Sequence, residues 1–373
     1  MSPARRAALL RLAGAAAGLG PSFAGAASDD ERIAAERGLR LPRDHGAHPG
    51  ARTEWWYATG WLGSDAAPSL GFQLTFFRSR TGFGAGNSSR FAPRQLLFAH
   101  AAVTDLAAQT HHHAQRIARW SGSDAASRVG ASSVDGDVRL DNWTLRREGS
   151  AWLALLPAET FKLQLRLLPS QPVLAQGTAG FSRKGPDAGQ ASLYYTEPQL
   201  TAEVSVTLNG RIQQTKGRAW LDHEWSDQIL HPKAVGWDWI GMNLFDGSAL
   251  TAFVLRRADG SALWAGGSFR AAPALGALSA AARSFAPAEV QWLPGRRWRS
   301  AASNTEYPVQ WALNTPAGRF AVRALLDGQE LDSRGSTGAI YWEGLSELLN
   351  EKGQRVGLGY LEMTGYQSAL RMG

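Results

Sequence analysis

The stretch AWLDHEWSDQIL (219–230) sets Asp222, His223 and Glu224 side by side among Trp220, Leu221 and Trp225. An unpaired charge buried in so apolar a segment costs several kcal/mol, a large part of the ~5–15 kcal/mol that keeps a domain folded. The three groups must therefore face water, find partners or do chemistry. On a strand, side chains alternate, so Trp220, Asp222 and Glu224 share one face and Leu221, His223 and Trp225 the other. Asp222 and Glu224 can look outward or pair with a nearby Arg or Lys, which leaves His223 beside Trp225 on the more apolar face. A histidine held against an indole in a dry pocket can give or take a proton near neutral pH, and the ring face can stabilise a carbocation. The competing reading is a structural histidine bonded to a backbone carbonyl.

RTEWWYATGWL (52–62) poses the same problem: Glu54 shares a face with Trp56, and Trp55 with Tyr57. Glu54 is either a pocket acid or one half of a buried ion pair that closes the fold, with Arg52 as the nearest basic neighbour. GWDWIG (236–241) puts Trp237 and Trp239 on one face and Asp238 opposite, while LYYTEP (193–198) sends Tyr194 and Tyr195 to opposite faces. His100 lies inside the apolar run LFAHAAVTD. Each aromatic, and His100 too, is more often ordinary core than pocket lining, and their density beside ionisable segments is what points to a site. Asp222, Glu224 and Asp238 are the carboxyls that could serve His223.

Other chemistries lack their motifs. His111, His112 and His113 are consecutive, and on a strand they point alternately, so at least one should face solvent and no metal is expected. No G-x-S-x-G elbow and no phosphate-cradling glycine loop is present, and Ser226 is merely near His223 in sequence. No cofactor and no nucleic-acid partner are expected. The absence of Cys removes disulfides, thiolate metal sites and a Cys nucleophile.

The elements that must position these residues read as strands. TEWWYATGWLG (53–63), SLGFQLTFFRSR (69–80), QLLFAHAAVTDLA (95–107), VRLDNWTLRRE (138–148), FKLQLRLLP (161–169) and TAEVSVTLNG (201–210) are short runs parted by Gly, Pro, Asn, Asp and Ser. In the second half, hairpins are expected to turn at FDGS, ADGS, TPAG and NEKG. Only ALGALSAAARSF (274–285) looks helical, and 82–94 and 176–191 read as loops that could rim a pocket. Such spacing predicts an all-β, antiparallel barrel or sandwich. With 373 residues, including 15 Trp and 14 Phe, the chain can fill two cores.

The opening MSPARRAALLRLAGAAAGLGPSFAGAA has Arg5, Arg6 and Arg11, a mildly apolar centre and Ala24-Gly25-Ala26. It reads as an export signal over 1–26, with Arg5-Arg6 suiting the twin-arginine route, followed by a lead-in over 27–48. Removal of that segment lowers the net charge from +7 to about +4. No later segment offers the ~18 apolar residues of a spanning helix, so a non-membrane-spanning protein, periplasmic or secreted, is expected.

The strings EWWYATGWL, GFQLTFFR, FAHAAVTD, LYYTEP, AWLDHEWSDQ, GWDWIGMNLFDG and the closing YWEGLSEL with GLGYLEMTGY resemble, in order from about Pro49 to Tyr366, the AttH-like and carotenoid 1,2-hydratase family. The resemblance implies two consecutive lipocalin-like, calycin-type antiparallel β-barrels, here 49–229 and 230–369, with a pocket for a lipophilic small molecule where they meet. In the hydratase branch water adds to an isoprenoid double bond without a cofactor, and His223 and Trp225 match the family's acid/base and cation-stabilising positions. One departure stands out: SALTAFVLRR carries Thr251, Ala252, Phe253 and Val254 where hydratases carry a Tyr and an Asp. The exported AttH-like branch, whose members tend to accompany ABC-type permeases, is the nearer likeness. Two readings follow, an exported binding protein linked to such a permease, or a hydro-lyase.

Overall fold

In a computed structural model of the chain the described residues are 33–82, 92–120, 128–274, 277 and 280–370. The expected export signal and most of the 82–94 loop lie outside them. The protein is nearly all β. The first half forms β1 (Thr53–Gly63), β2 (Pro68–Arg80), β3 (Gln95–Asp105), β4 (Thr110–Trp120), β5 (Val129–Ala131), β6 (Asp137–Leu140) and β7 (Trp143–Glu148). These are followed by β8 (Ala151–Pro157), β9 (Phe161–Leu168), β10 (Leu174–Ala175), β11 (Phe181–Arg183), β12 (Ala191–Leu208) and β13 (Arg211–Ser226). They make one antiparallel sheet in the order β4-β3-β2-β1-β13-β12-β9-β8-β7-β6-β5, with β10 and β11 laid against β12. The sheet curls into a nearly closed lipocalin-like barrel.

The second half contributes β14 (Gly236–Leu244), β15 (Ala249–Arg256), β16 (Ala262–Arg270), β17 (Ala282–Phe285), β18 (Gln291–Pro294), β19 (Arg297–Arg299) and β20 (Glu306–Pro308). The chain ends with β21 (Gln310–Thr315), β22 (Gly318–Ala324), β23 (Glu330–Asp332), β24 (Ile340–Leu349) and β25 (Arg355–Met363). The order is β17-β16-β15-β14-β25-β24-β22-β21-β18, with β23 on β24 and a separate β19-β20 pair. All four expected hairpin turns fall between paired strands, at 245–248, 257–261, 316–317 and 350–354.

Period-two patterning explains the ordinary strands. In β9, Phe161, Leu163 and Leu165 are buried while Lys162, Gln164 and Arg166 are exposed. Each such apolar side chain contributes roughly 1.5–3 kcal/mol, and a one-residue slip would turn all of them into water. Strand β1 behaves differently, because both faces are covered. Trp56, Ala58 and Leu62 enter the first barrel's core, whereas Tyr57 and Trp61 join Trp220, Trp239, Phe253, Leu345 and Tyr360 in a layer between the two sheets. The second core, with Ile240, Met242, Trp342 and Leu361, lies on the far side of that layer. A Cβ at Gly71 would stand 2.8 Å from the Tyr360 hydroxyl, and one at Gly241 would stand 2.4 Å from the Trp239 ring and 2.8 Å from Trp220. Glycine at those two positions lets the sheets close on each other.

Three expectations need correction. Ala282–Phe285 is not helical but pairs antiparallel with Gly267–Arg270. Its Ala-rich composition gave a helical period, and the free edge of β16 overrode it. The segment 176–191 is not all loop, since Phe181–Arg183 pairs with Ala191–Leu193. None of His111, His112 and His113 is fully exposed; all are half-buried on β4. The alternation itself holds, with the His111 and His113 rings stacked 6.0 Å apart on one side.

Candidate functional site

The layer between the sheets opens into a cavity of about 380 Å³. Its apolar walls come from Trp55 and Tyr57 on β1, Tyr194 on β12, Trp237 and Trp239 on β14 and Phe253 on β15. The Tyr57 and Trp239 rings meet edge to face at 5.4 Å, which fixes the wall by quadrupole contact as well as by area. Five carboxyl residues line the same space: Glu54 on β1 in part, Asp222 and Glu224 on β13, Glu343 on β24 and Glu362 on β25.

These acids differ in their partners. Glu224 pairs with Lys184 at 2.9 Å and accepts a hydrogen bond from Ser192. The Lys184 ammonium also lies over the Phe253 ring at 4.3 Å and the Tyr194 ring at 4.7 Å. Among the described residues Asp222 has no salt-bridge partner, and it accepts a bond from the Thr196 hydroxyl at 2.5 Å. Burial pushes its carboxyl up to about 7 despite that bond. Burial likewise raises Glu362 to about 7, and it raises Glu343 well above the usual carboxylate range, helped by the neighbouring Glu362 charge. The Tyr57 and Tyr341 hydroxyls oppose the shift of Glu343. Even so, Glu343 Oε1 and the Tyr57 hydroxyl make no hydrogen bond of ordinary geometry.

His223 faces the other way. It projects into the first barrel, where its ring stacks on Trp56 at 4.6 Å and Nε2 donates to Glu54 Oε1 at 2.9 Å. Glu54 is fully buried, paired with Arg78 at 2.7 Å and bonded to His48 Nδ1 at 2.7 Å. His48 Nε2 lies 3.1 Å from Asp44, which is paired with Arg37 at 2.7 Å. Burial alone would raise the Glu54 carboxyl, but Arg78, His48 and His223 together hold it well below the usual range. Burial lowers the proton affinity of His223 against the pull of Glu54. The rings of Trp225 and His48 stack 3.7 Å apart within this network.

Glu54, His48 and His223 converge closely enough to be considered as ligands for a metal ion. Their nitrogens already sit at hydrogen-bond distance from Glu54 Oε1, and Arg78 occupies its other oxygen. A zinc-type ion needs bonds near ~2.1 Å and a site without a competing cation. The donors fit a proton network and not a metal.

The residues singled out by sequence thus divide. Asp222, Glu224, Tyr57, His100, Tyr194, Trp237 and Trp239 line the cavity, and so does part of Glu54. His223, Trp225, Trp56 and Tyr195 sit on the inward face, Tyr195 with its hydroxyl 2.7 Å from His45 Nδ1. Asp238 is turned from the cavity and paired with Arg256 at 2.7 Å; burial raises it to about 6. His100 bridges the halves, Nδ1 to the Tyr341 hydroxyl and Nε2 to Ser336, each at 2.8 Å. The ion pair expected of Glu54 exists, with Arg78 instead of Arg52. Sequence reasoning missed Trp55, Lys184, Glu343 and Glu362 as lining. The signal for Glu362 was available in GYLEM, a lone acid on an otherwise uncharged face of its strand; Glu343 shares its face with Glu347, which is paired with Arg323 and Arg355.

Two lipocalin-like β units facing each other across an aromatic, acid-lined cavity define the architectural class. The chain belongs to the AttH-like family, whose model matches residues 32–366. A putative AttH (NE1406) from Nitrosomonas europaea is similar in structure, with 43% sequence identity and a TM-score of 0.80 over 90% of this chain and 99% of that one. Kievitone hydratase from Nectria haematococca shares the fold at 14% identity and a TM-score of 0.65, covering 89% of this chain and 94% of its own. No curated protein matches the sequence. Among the described residues no helix is long and apolar enough to cross a membrane.

Proposed function

We propose that the protein binds a lipophilic small molecule in the cavity between the sheets and protonates it there, as a cofactor-free hydro-lyase acting on an alkene. The observation that carries this reading is the set of acids Asp222, Glu343 and Glu362, raised by burial so that they hold protons near neutral pH among aromatic walls. A protonated carboxyl in a dry site is a competent acid, and Trp and Tyr faces stabilise the cation that protonation creates. The hydratase among the structural neighbours supports the reading by shared architecture alone. On this reading His223 and Trp225 act from behind the wall: with Glu54 they hold β1 and β13 in place.

A second reading is carriage without turnover, by a periplasmic or secreted protein that serves an ABC-type permease. The Arg5-Arg6 segment with its small-residue end supports it. Mass spectrometry of lipophiles that co-purify with the protein, before and after incubation with host lipid extract in ¹⁸O-water, separates the two. Label entering an unsaturated lipid, and lost in Asp222→Asn or Glu343→Gln, is expected for a hydro-lyase. A retained compound that gains no label in the wild type rejects catalysis and leaves carriage.

A further inference from the structure

Glu343 and Glu362 are directly opposite each other on the antiparallel strands β24 and β25. Cross-strand neighbours on one face stand with Cβ atoms roughly 4.5–5.5 Å apart, close enough for two carboxyls to share a proton. Residues 341, 343 and 345 alternate with Trp342 of the second core, so Glu343 points into the interlayer together with Tyr341 and Leu345. The same alternation puts Glu362 with Leu358 and Tyr360 on that face. Among the described residues neither acid has a salt-bridge partner, unlike Glu224, Asp238 and Glu54, which each have one. Directly across the layer, the buried Tyr57 hydroxyl makes no hydrogen bond of ordinary geometry among the described residues and stands close to Glu343.

Two carboxylates at that separation in a dry site cannot both ionise near neutral pH, which makes one proton their stable complement. We propose that Glu343 and Glu362 work as a single carboxylic acid–carboxylate pair and form the proton-transferring group of the cavity, an inference that rests on the hydro-lyase reading. The acid of the pair gives its proton to one carbon of the ligand's C=C, whose π electrons form the new C–H bond and leave a cation on the adjacent carbon. Water forms the C–O bond at that cation and loses a proton to the carboxylate of the pair. The alkene and water become an alcohol, and the pair again holds one proton with its two members exchanged. No base outside the pair, metal or redox partner is needed.

The groups facing the pair fix its titration. Tyr57 comes from β1, Glu224 from β13, Trp237 from β14, Tyr341 from β24 and Tyr360 from β25, while the Asp238 charge acts from the opposite face of β14. Glu224 and Asp238 each have a cation partner, and the charge that raises Glu343, after burial, is that of Glu362.

The test is infrared spectroscopy of the full protein carrying ¹³C-carboxyl glutamate, titrated from pH 4 to 10 without ligand. The wild type is expected to lose two glutamic-acid bands in steps at least one unit apart, the upper one persisting above pH 7. In Glu343→Gln and in Glu362→Gln the surviving acid should titrate at least one unit below the upper wild-type step, a tenfold loss of proton affinity. Glu197→Gln, a buried glutamate elsewhere with a raised affinity of its own, should remove a separate band and leave both steps in place. A single merged step in the wild type, or a survivor that titrates unchanged in both variants, overturns the pair. The ¹⁸O-water experiment then decides its role: label lost in both Gln variants is the expected result, and label retained in both overturns proton transfer by the pair. If the titration shows the pair but the wild type labels no lipid, the hydro-lyase reading fails and the shared proton stands.

Discussion

Strands β1 and β13 bury acids on both of their faces, and the two faces treat them oppositely. On the inward side Glu54 is surrounded by Arg78, His48 and His223, and its carboxyl is held well below the usual range. On the outward side, next to His223 in the chain, Asp222 is equally buried but is met by hydroxyl and indole groups and the like charge of Glu224, and it rises to about 7. Burial is common to both; what differs is a cation within reach. Glu54, with a guanidinium and two imidazoles around it, is a fixed charge that ties strands together, and Asp222, without them, is a proton store. The inward network is therefore suited to holding the barrel, and the cavity acids to chemistry.

The largest effect should come from breaking the inward network. Glu54→Ala leaves Arg78, His48 and His223 buried around a missing charge, and removal of one member of a buried pair costs roughly 3–5 kcal/mol. Urea unfolding at pH 7 measures it. A loss under about 1 kcal/mol would mean that the two faces do not differ as argued.

Asp222→Asn should act in the opposite direction, and with a pH signature. The folded protein binds this proton more tightly than the unfolded chain does, about 7 against 3.8. The stabilisation from protonated Asp222 is therefore complete below pH ~4 and is lost as pH rises through ~7. The amide has nothing to lose over that window. Relative to the wild type, the variant should gain stability between pH 4 and 8 by up to about 4 kcal/mol, at ~1.4 kcal/mol per unit. Thermal unfolding of both proteins at pH 4.5 and pH 8 reads the difference. An equal offset at both pH values would place an unshifted carboxyl at 222.

Much of this division was written in the alternation of the sequence. Period two put Asp222 and Glu224 on one face and His223 and Trp225 on the other, and Trp237 and Trp239 opposite Asp238, as the strands have them. What a single strand could not reveal was which face met the second sheet. The more apolar-looking side of AWLDHEWSDQ proved to be a filled barrel core, whereas the side carrying two acids lines the cavity. That outcome depends on strands far away in sequence, above all β24 and β25, which bring Glu343 and Glu362 across the layer. Lys184 was hidden for a related reason: it lies in a Gly-rich segment with no period, and its place is set by Glu224, Tyr194 and Phe253. The end of the Ala-rich run, Ala282–Phe285, misled because edge pairing outweighs weak helix propensity.

A smaller effect on folding but a clear one on binding is expected from the aromatic wall. Trp55 and Trp237 are only half-buried, their rings open to the cavity. Trp237→Ala should reduce the amount of co-purifying lipophile at least tenfold, about 1.4 kcal/mol of binding, with a change in unfolding midpoint of only a few degrees. Trp56→Ala, its inward counterpart, should instead lower stability by ~3–5 kcal/mol, because a fully buried indole leaves a cavity behind. If both variants lose ligand and stability alike, the wall and the core are one unit and the distinction between the faces fails.

The smallest effect sharpens the comparison at the seam between the two halves. Tyr341 on β24 donates its hydroxyl to His100 Nδ1 on β3 at 2.8 Å, while His100 Nε2 meets Ser336. Burial drives His100 down to about 3, so the ring is neutral between pH 5 and pH 8. The contact is therefore a bond between uncharged groups, unlike the Glu54 cluster, and Ser336→Ala, which removes the Nε2 partner, should cost only about 0.5–1.5 kcal/mol. The cost should not vary between pH 5 and pH 8, whereas a charged His100 would make it strongly pH-dependent. Urea unfolding of the two proteins at both pH values checks this, and a pH-dependent loss would move His100 from the structural seam to the titrating groups of the cavity.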